Sequence, residues 1–437
     1  MSARGRELLG LLPVTLLITA GFTAVFMARQ SDLGTTTLSW GGIFLVLCLA
    51  LHLFIRARLP DADPYLFPLV ALLSAFGLVM IYRIDENLAR DQAGWFLVGI
   101  VFFVGTVVLV RDIDVLERYR YVIAATGIGL LLLPRLPGIG ARVNGAYLGV
   151  DAGPLSFQPT EFAKLCIVVF LASYLHERGD MLVAGARRVA GITIPPLKHF
   201  GPLLVVWGAS MLMLVFIRDL GSSLMFFAAF LALLYVATGE LSFVLAGSAM
   251  FAGGAWFFAH TVSHVQERVD IWLDPWKDPA GSGFQIAQSL FSQADGGLFG
   301  KGLGQALLQL PGGAQIPPAP DTDLIYAVIT NELGLFGAAA VVMVYLLFAE
   351  RGFRTAMLAE DGFQKLLATG LTAVFAFQAF VIVGGVTRVI PLTGVTLPFI
   401  SYGGSSIVAN FVLLALLLVI SQQARAPRQV RPSPVVS

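Results

Sequence analysis

Apolar residues fill this chain in long unbroken blocks, each closed by a short polar or proline- and glycine-bearing break. Blocks of about 18–22 residues, long enough to cross a bilayer, recur from end to end. Twelve spans are predicted, at residues 8–27, 38–55, 65–82, 93–110, 121–134, 159–175, 201–217, 220–238, 241–262, 323–349, 366–387 and 399–421. A backbone in hydrocarbon must close its own hydrogen bonds, so the spans are helices and the fold class is all-α, polytopic and membrane-embedded. The short alternating segments of an outer-membrane barrel are absent from the pattern.

Composition agrees. Of 437 residues, 57% are hydrophobic and 13% charged, and the mean hydropathy is +0.82, too apolar for a soluble chain of this length. A net charge of +1 with no basic block gives nucleic acid nothing to bind. Cys48 and Cys166 lie in separate apolar runs and read as packing residues, not a disulfide or a metal pair. Residues 8–27 follow Arg4 and Arg6 as a signal peptide would, but the run is long and lacks a good A-x-A site, so it is read as an uncleaved first span. With the N-terminus inside, cytoplasmic segments hold 17 of the 28 Lys and Arg residues and outer segments 10, with Lys164 left within a span. The basic stretches 111–120 and 424–431 then both fall inside, which places both termini in the cytoplasm.

Two outer segments are more than connectors: 135–158, and a 60-residue loop over 263–322. Loops of that length are usually functional. Within the second, GFQIAQSLFSQADGG predicts a short amphipathic helix with Phe284, Ala287, Leu290, Phe291 and Ala294 on one face. Gln285, Gln288, Ser289 and Ser292 occupy the other, and the helix is expected to lie along the membrane surface or to cover the protein. His260 and His264 sit in HTVSH, not H-E-x-x-H, and GGLFGKGLG lacks the spacing and the Ser or Thr of a phosphate-binding loop. No internal repeat of the transporter kind is visible.

Four stretches carry candidate chemistry. In IPPAPDTDLIYAV (316–328), Asp323 is the last charge before an apolar run. It can cap the helix, and a carboxylate at the water–lipid boundary can equally serve as a general base. In SFQPTEFAK, Pro159 and Glu161 suit the first turn of a helix, and Lys164 shares a face with Glu161. They are a self-neutralised pair or the wall of a polar cavity that meets an anion. Asp219 stands at a tight turn, beside an Arg218 that could bind phosphate or mark the interface. In RVIPLTGVTLPFISYGGSS (388–406), prolines and glycines break the chain between two spans, which is tolerated where backbone is buried in protein or lines a cavity.

Together these stretches resemble the SEDS family (shape, elongation, division and sporulation) from about residue 65 to 422. The matching motifs are FQPTEFAK, DLGSSL, WLDPWKDPAGSGFQIAQSL, GGLFGKGLG, TDLIYAVITNELG and PLTGVTLPFISYGGSS, in that order. The resemblance implies a ten-span helical core over 61–424, here preceded by two extra spans over 1–60 and followed by a basic tail, 425–437. It implies peptidoglycan glycosyl transfer, polymerising lipid II, an undecaprenyl-diphosphate-linked saccharide, at the outer face of the bacterial cytoplasmic membrane. It also implies a class B penicillin-binding protein, a transpeptidase, as partner. Carried over by motif, the family's catalytic aspartate falls on Asp323, its glutamate and lysine on Glu161 and Lys164, and its Q-S pair on Gln288 and Ser289; Arg218, Asp219 and Ser401 are further substrate-binding candidates. The chain departs from the family where Arg218 replaces a proline, Asn331 one of two adjacent glutamates, and Thr396 another proline. The stretch GGVTRVIPLTG looks closer to the elongation branch than to the division branch.

The chemistry asks for little. A lipid diphosphate leaves readily but wants positive charge, from Lys164, a nearby arginine or a divalent cation such as Mg2+ or Mn2+. The acceptor hydroxyl wants one base. A transporter that flips a lipid-linked sugar would share the polar spans and the broken connection, and a scaffold that only recruits its partner would share any exposed helix face. The large outer loop favours the enzyme.

Overall fold

The computed structural model describes residues 2–28, 35–136, 140–143, 146–152, 155–184, 187–189, 192–194, 208, 220–309 and 315–426. Among these residues, nine helices are long and apolar enough to cross a membrane. They are α1 (Ala3–Ala28), α2 (Thr35–Arg58, from Gly41 onward), α3 (Leu66–Ile84) and α4 (Glu86–Leu109), then α8 (Leu220–Thr238, from Gly221 onward), α9 (Leu241–Thr261), α12 (Ile325–Leu358), α13 (Gly362–Val386) and α14 (Gly404–Arg425). The chain is thus a multi-pass membrane protein.

Three predicted spans stand apart. The one at 121–134 becomes α6 (Arg120–Leu132), preceded by the short α5 (Asp114–Arg118) and followed by one 3-10 turn, Leu133–Arg135. Its 13 residues reach only about 20 Å at 1.5 Å per residue. The one at 159–175 lies inside α7, the 26-residue helix Pro159–Ala184. The span at 201–217 lies outside the described residues but for one position. The outer segment 135–158 holds a small antiparallel sheet, β1 (Gly140–Val143), β2 (Ala146–Ala152) and β3 (Leu155–Phe157), and a ribbon of β4 (Arg187–Val189) and β5 (Ile192–Ile194) follows α7.

The core is a bundle in which α14 lies along α4, α6 along α7, α13 along α12 and α8, and α1 along α3. Phe411 of α14 is an aromatic hub, with ring centroids 5.2 Å from Phe96, 5.4 Å from Phe399 and 6.5 Å from Phe103. Edge-on contacts of this kind add to the area they bury. Leu335, Phe336, Met343, Leu346 and Leu347 of α12 are by contrast exposed, as side chains facing lipid are.

Polar side chains gather at the two ends of the bundle. At one end Arg4 pairs with Glu7, which also meets His52 Nδ1 at 2.7 Å. There, too, Asp63 is met by Arg425 at 2.6 Å and accepts the Tyr65 amide, while its own amide donates to Ser421 Oγ. At the other end stand Gln92, Asp321, Glu332 and the α13–α14 connection.

The described part of the long loop 263–322 folds over that second end. It contains α10 (Ser263–Leu273), a 3-10 turn at Pro275–Lys277, and α11 (Phe284–Gly296). The predicted amphipathic helix is therefore present as α11, but its packing face differs from the expectation. Ile286, Ala287, Ser289 and Gly296 are buried, while Phe291 and Ala294 are exposed. The reason is hydrogen bonding. Ser289 Oγ donates to Val386 O at 3.1 Å, Ser292 Oγ to Ala327 O at 3.1 Å, and Asn331 Nδ2 to Ser292 O at 2.7 Å. The small polar side chains satisfy carbonyls of the bundle, so they face inward, and Phe291 turns out against Trp276 with centroids 5.5 Å apart.

The glycine-rich stretch after α11 is stitched to α12 through a break at Gly334 (φ +66°). The Leu335 and Phe336 amides, released by the break, donate to Gly297 O and Leu298 O, and the Lys301 and Gly302 amides donate to Asn331 O and Glu332 O. Glu332, fully buried, accepts from Arg83 Nε at 3.0 Å and from the Gly304 amide at 2.9 Å.

Candidate functional site

The connection between α13 and α14 is irregular backbone sunk into the bundle, and its carbonyls need partners there. Side chains from four different helices supply them. Arg268 Nη1 of α10 donates to Leu392 O at 2.6 Å and Gln378 Nε2 of α13 to Thr396 O at 2.8 Å. Tyr345 of α12 donates its hydroxyl to Pro398 O at 2.6 Å, and Gln92 Nε2 of α4 donates to Ser401 O at 3.1 Å. Arg388, at φ +62°, locks the start of the connection by donating from Nε to Trp272 O at 2.8 Å.

This scaffold holds the Asp321–Leu324 turn. The Tyr402 amide donates to Asp321 O at 2.8 Å. Ser401 Oγ donates to Thr322 O at 2.8 Å and accepts the Leu397 amide at 2.8 Å. Asp323 lies between these anchors and the start of α12. The helix is capped at Leu324 with no side-chain cap bond, so the Asp323 carboxylate is not used as a cap. Among the described residues no hydrogen bond or ion pair holds its oxygens. It faces Gly394, where an added Cβ would stand 3.6 Å from Oδ2. Gly394 has φ +74°, a conformation that glycine adopts without the penalty of a side chain.

Burial pushes the Asp323 carboxyl up to about 6; the Arg268 charge pulls it down and the Asp321 charge adds to the rise. Asp321 itself is raised, mainly by burial and further by Asp85. A carboxylate with a raised pKa, beside a guanidinium and with no hydrogen bond or ion pair among the described residues, can take a proton near neutral pH.

The other predicted residues fall around this centre in distinct ways. Lys164 Nζ, 2% exposed, donates to Glu161 Oε2 at 2.6 Å and to Gln378 Oε1 at 2.7 Å. Since Gln378 in turn holds Thr396 O, the pair is tied through one amide to the connection two residues from Gly394. Ser289 braces Val386, where α13 ends, and Gln293 Nε2 reaches the same carbonyl at 2.9 Å. Gln288, on the neighbouring position of α11, is half-buried. The Ser401 hydroxyl is occupied by the two bonds given above. Arg218 and Asp219 lie outside the described residues. Among the described residues no group of three or more His, Cys, Asp or Glu side chains is placed to hold a metal; the positive charge beside Asp323 is Arg268.

Arg268, Gln378 and Gln92 were not singled out by sequence reasoning. A glutamine within the apolar run VFAFQAFVIV was a readable signal, because a lone polar group inside a span needs a partner. Arg268 gave none: it lies far from Asp323 in sequence, in a short polar helix.

Comparison with known proteins agrees with the motif reading. The sequence profile of the FtsW, RodA and SpoVE family, described as "Cell cycle protein", matches residues 64–426. "Peptidoglycan glycosyltransferase RodA" of Mycobacterium tuberculosis (strain ATCC 25618 / H37Rv) is 40% identical over 98% of this chain and 92% of its own. The protein of the same name from Mycobacterium leprae (strain TN) is 41% identical over the same shares. "Probable peptidoglycan glycosyltransferase FtsW" of Geobacter sp. (strain M18) is 30% identical over 84% of this chain and 99% of its own. Among solved structures, one described as "Structural coordination of polymerization and crosslinking by a peptidoglycan synthase complex" superposes with a TM-score of 0.66 at 25% identity, covering 84% of this chain and 99% of that one. The crystal structure of Thermus thermophilus rod shape determining protein RodA superposes with a TM-score of 0.59 at 24% identity, covering 84% of this chain and 98% of that one, and so shares its fold. With a family profile over most of its length and relatives that span nearly all of it, this chain belongs to the FtsW/RodA/SpoVE family, the SEDS proteins.

Proposed function

We propose that this protein is a peptidoglycan glycosyltransferase that polymerises lipid II, with Asp323 as its general base. The observation that carries the assignment of Asp323 is a carboxylate fixed at the mouth of a span by bonds of the flanking backbone to the next connection, with no hydrogen bond or ion pair among the described residues, and pushed up to about 6 by burial. In the reaction the acceptor sugar hydroxyl passes its proton to Asp323. The freed oxygen bonds to the anomeric carbon of the donor, and the bond from that carbon to the diphosphate oxygen breaks, with single inversion. Arg268 is placed to steady negative charge at the mouth, and the lipid diphosphate departs with its bonding electron pair. A divalent cation would add to that charge.

The elongation role is supported by the higher identity to RodA proteins (40–41%) than to the FtsW protein (30%). A class B transpeptidase partner is supported by the likeness to a synthase complex of polymerisation and crosslinking. The orientation, with both termini cytoplasmic and Asp323 outside, rests on the bias of lysine and arginine. Gel analysis of lipid II products tests the assignment, with the purified chain alone and with the transpeptidase. Wild type makes glycan strands, and Asp323→Ala makes none while keeping its thermal unfolding transition. Strands from a folded Asp323→Ala protein would remove Asp323 from the reaction.

A further inference from the structure

At the end of the bundle opposite Asp323 a cavity of about 350 Å³ is lined by Arg6, Asp63, Pro64, Tyr65, Arg351, Arg354, Leu358 and Arg425. Its four guanidiniums come from three helices: α1, α12 (two of them) and α14. Asp63, fully buried, is the one carboxylate in the lining among the described residues, and it is already engaged by Arg425 at 2.6 Å, Arg351 at 3.7 Å and the Tyr65 amide at 2.9 Å. Glu350 at the rim takes Arg351 at 3.0 Å and Arg354 at 3.9 Å. Even with both carboxylates counted, a surplus of two positive charges converges on one concavity. Arg351 is held flat, its Cζ 4.3 Å from the centroid of the Tyr65 ring, which fixes the direction of its donors.

Helix pairing uses Arg425 and Arg351 through Asp63, but not Arg6. Arg4, two residues from Arg6 and on the other side of the helix, shows what a structural arginine does here: it is buried, pairs with Glu7 and donates to Ala62 O. Arg6 is exposed and, among the described residues, has no side-chain partner. Four like charges against two carboxylates repel, so among the described residues the cavity keeps an excess of positive charge.

We propose that this cavity binds the phosphate of an anionic lipid headgroup from the leaflet at that end of the bundle. Arginine suits phosphate because its planar fork presents paired donors. A lipid, and not a soluble anion, fits the surroundings. Leu9, Leu12 and Leu16 follow Arg6 at helical spacing and are all exposed. They form an apolar track leading from the cavity into the hydrocarbon, along which an acyl chain would lie. Basic pockets at the cytoplasmic ends of spans are suited to such headgroups. The proposal is independent of the glycosyltransferase reading.

The test is thermal unfolding of the full-length chain in neutral detergent, titrated separately with phosphatidylglycerol, with phosphatidylcholine of the same acyl chains, and with glycerol phosphate. Phosphatidylglycerol is expected to raise the unfolding midpoint saturably, with little response to the other two. Arg6→Gln/Arg354→Gln, which changes two exposed side chains, is expected to unfold at the wild-type midpoint without lipid. It should need at least about tenfold more phosphatidylglycerol for the same shift, as the loss of charge-assisted bonds to phosphate implies. An equal response of wild type and variant would mean a non-specific charge effect and overturn the proposal. So would an equal response to phosphatidylcholine. Glycerol phosphate matching phosphatidylglycerol would identify a soluble-anion site and overturn the lipid assignment.

Discussion

Asp323 earns its place at the level of a single side chain because, among the described residues, no hydrogen bond or ion pair consumes it. Its neighbours are spent: Ser401 on two backbone groups, Lys164 on Glu161 and Gln378, Glu332 on Arg83 and the Gly304 amide. Two measurements follow from the carboxyl being held up to about 6 by burial. The base works ionised, so log(kcat/KM) for lipid II should fall with unit slope as the pH drops below about 6 and level off above it. Arg268 lowers that pKa, so Arg268→Gln should move the acid limb to higher pH, read from the same profile; an unmoved limb would detach Arg268 from the base. The sign for stability is the reverse of a salt-bridged aspartate. The folded-state pKa lies above the unfolded one, so ionisation costs stability once the pH exceeds the unfolded value and the cost is complete above the folded value. Asp323→Asn should therefore raise the unfolding free energy by about 1–3 kcal/mol at pH 8 and leave it nearly unchanged near pH 4. Asp323 was legible in the sequence because a charge directly before an apolar run is conspicuous. The Arg268 charge that lowers its pKa was not, because only the folded loop brings the two together.

Elements show where hydropathy stops being informative. The long apolar runs became helices as expected, since in hydrocarbon no other choice satisfies the backbone. The run at 121–134 gave a helix too short to cross alone, and α11 packed by its hydroxyl-bearing face because the carbonyls beneath it needed donors. Apolar periodicity predicts burial in water; at a membrane surface an exposed phenylalanine is no penalty, so the inference from periodicity to packing face fails there. The α13–α14 connection was legible as broken backbone, but its fastening by Gln92, Arg268, Tyr345 and Gln378 was not, because those residues come from four separate stretches. The Glu161–Lys164–Gln378–Thr396 chain can be probed as a unit. Lys164→Met strands a buried carboxylate and should cost about 3–5 kcal/mol. Glu161→Gln/Lys164→Met should recover much of that loss, a non-additivity read from unfolding midpoints in a double-mutant cycle. An additive pair would mean the two side chains act separately.

The molecule as a whole is polarised. One end carries the carboxylate turn and its folded loop, the other the arginine cavity and both described chain ends. Accessibility to a membrane-impermeant maleimide in intact cells tests the proposed orientation. Ser282→Cys, on the exposed loop between Pro275–Lys277 and α11, should label from outside. Lys365→Cys, exposed at the start of α13, should label only after permeabilisation. Cys48 is buried and Cys166 partly so, which keeps the background low. The reverse pattern would invert the topology and put Asp323 in the cytosol. Between the ends runs α14. Above it, Ser401 and Tyr402 grip the Asp321–Leu324 turn. At its foot Ser421 accepts the Asp63 amide, the Gln422 side chain pairs with Asp61, and Arg425 meets Asp63. Between these anchorages the helix is enclosed by protein along most of its length. It is a stiff strut bolted at both ends of the bundle, so a displacement imposed at the Arg425 end has a direct mechanical route to the aspartate turn and need not be relayed through loops.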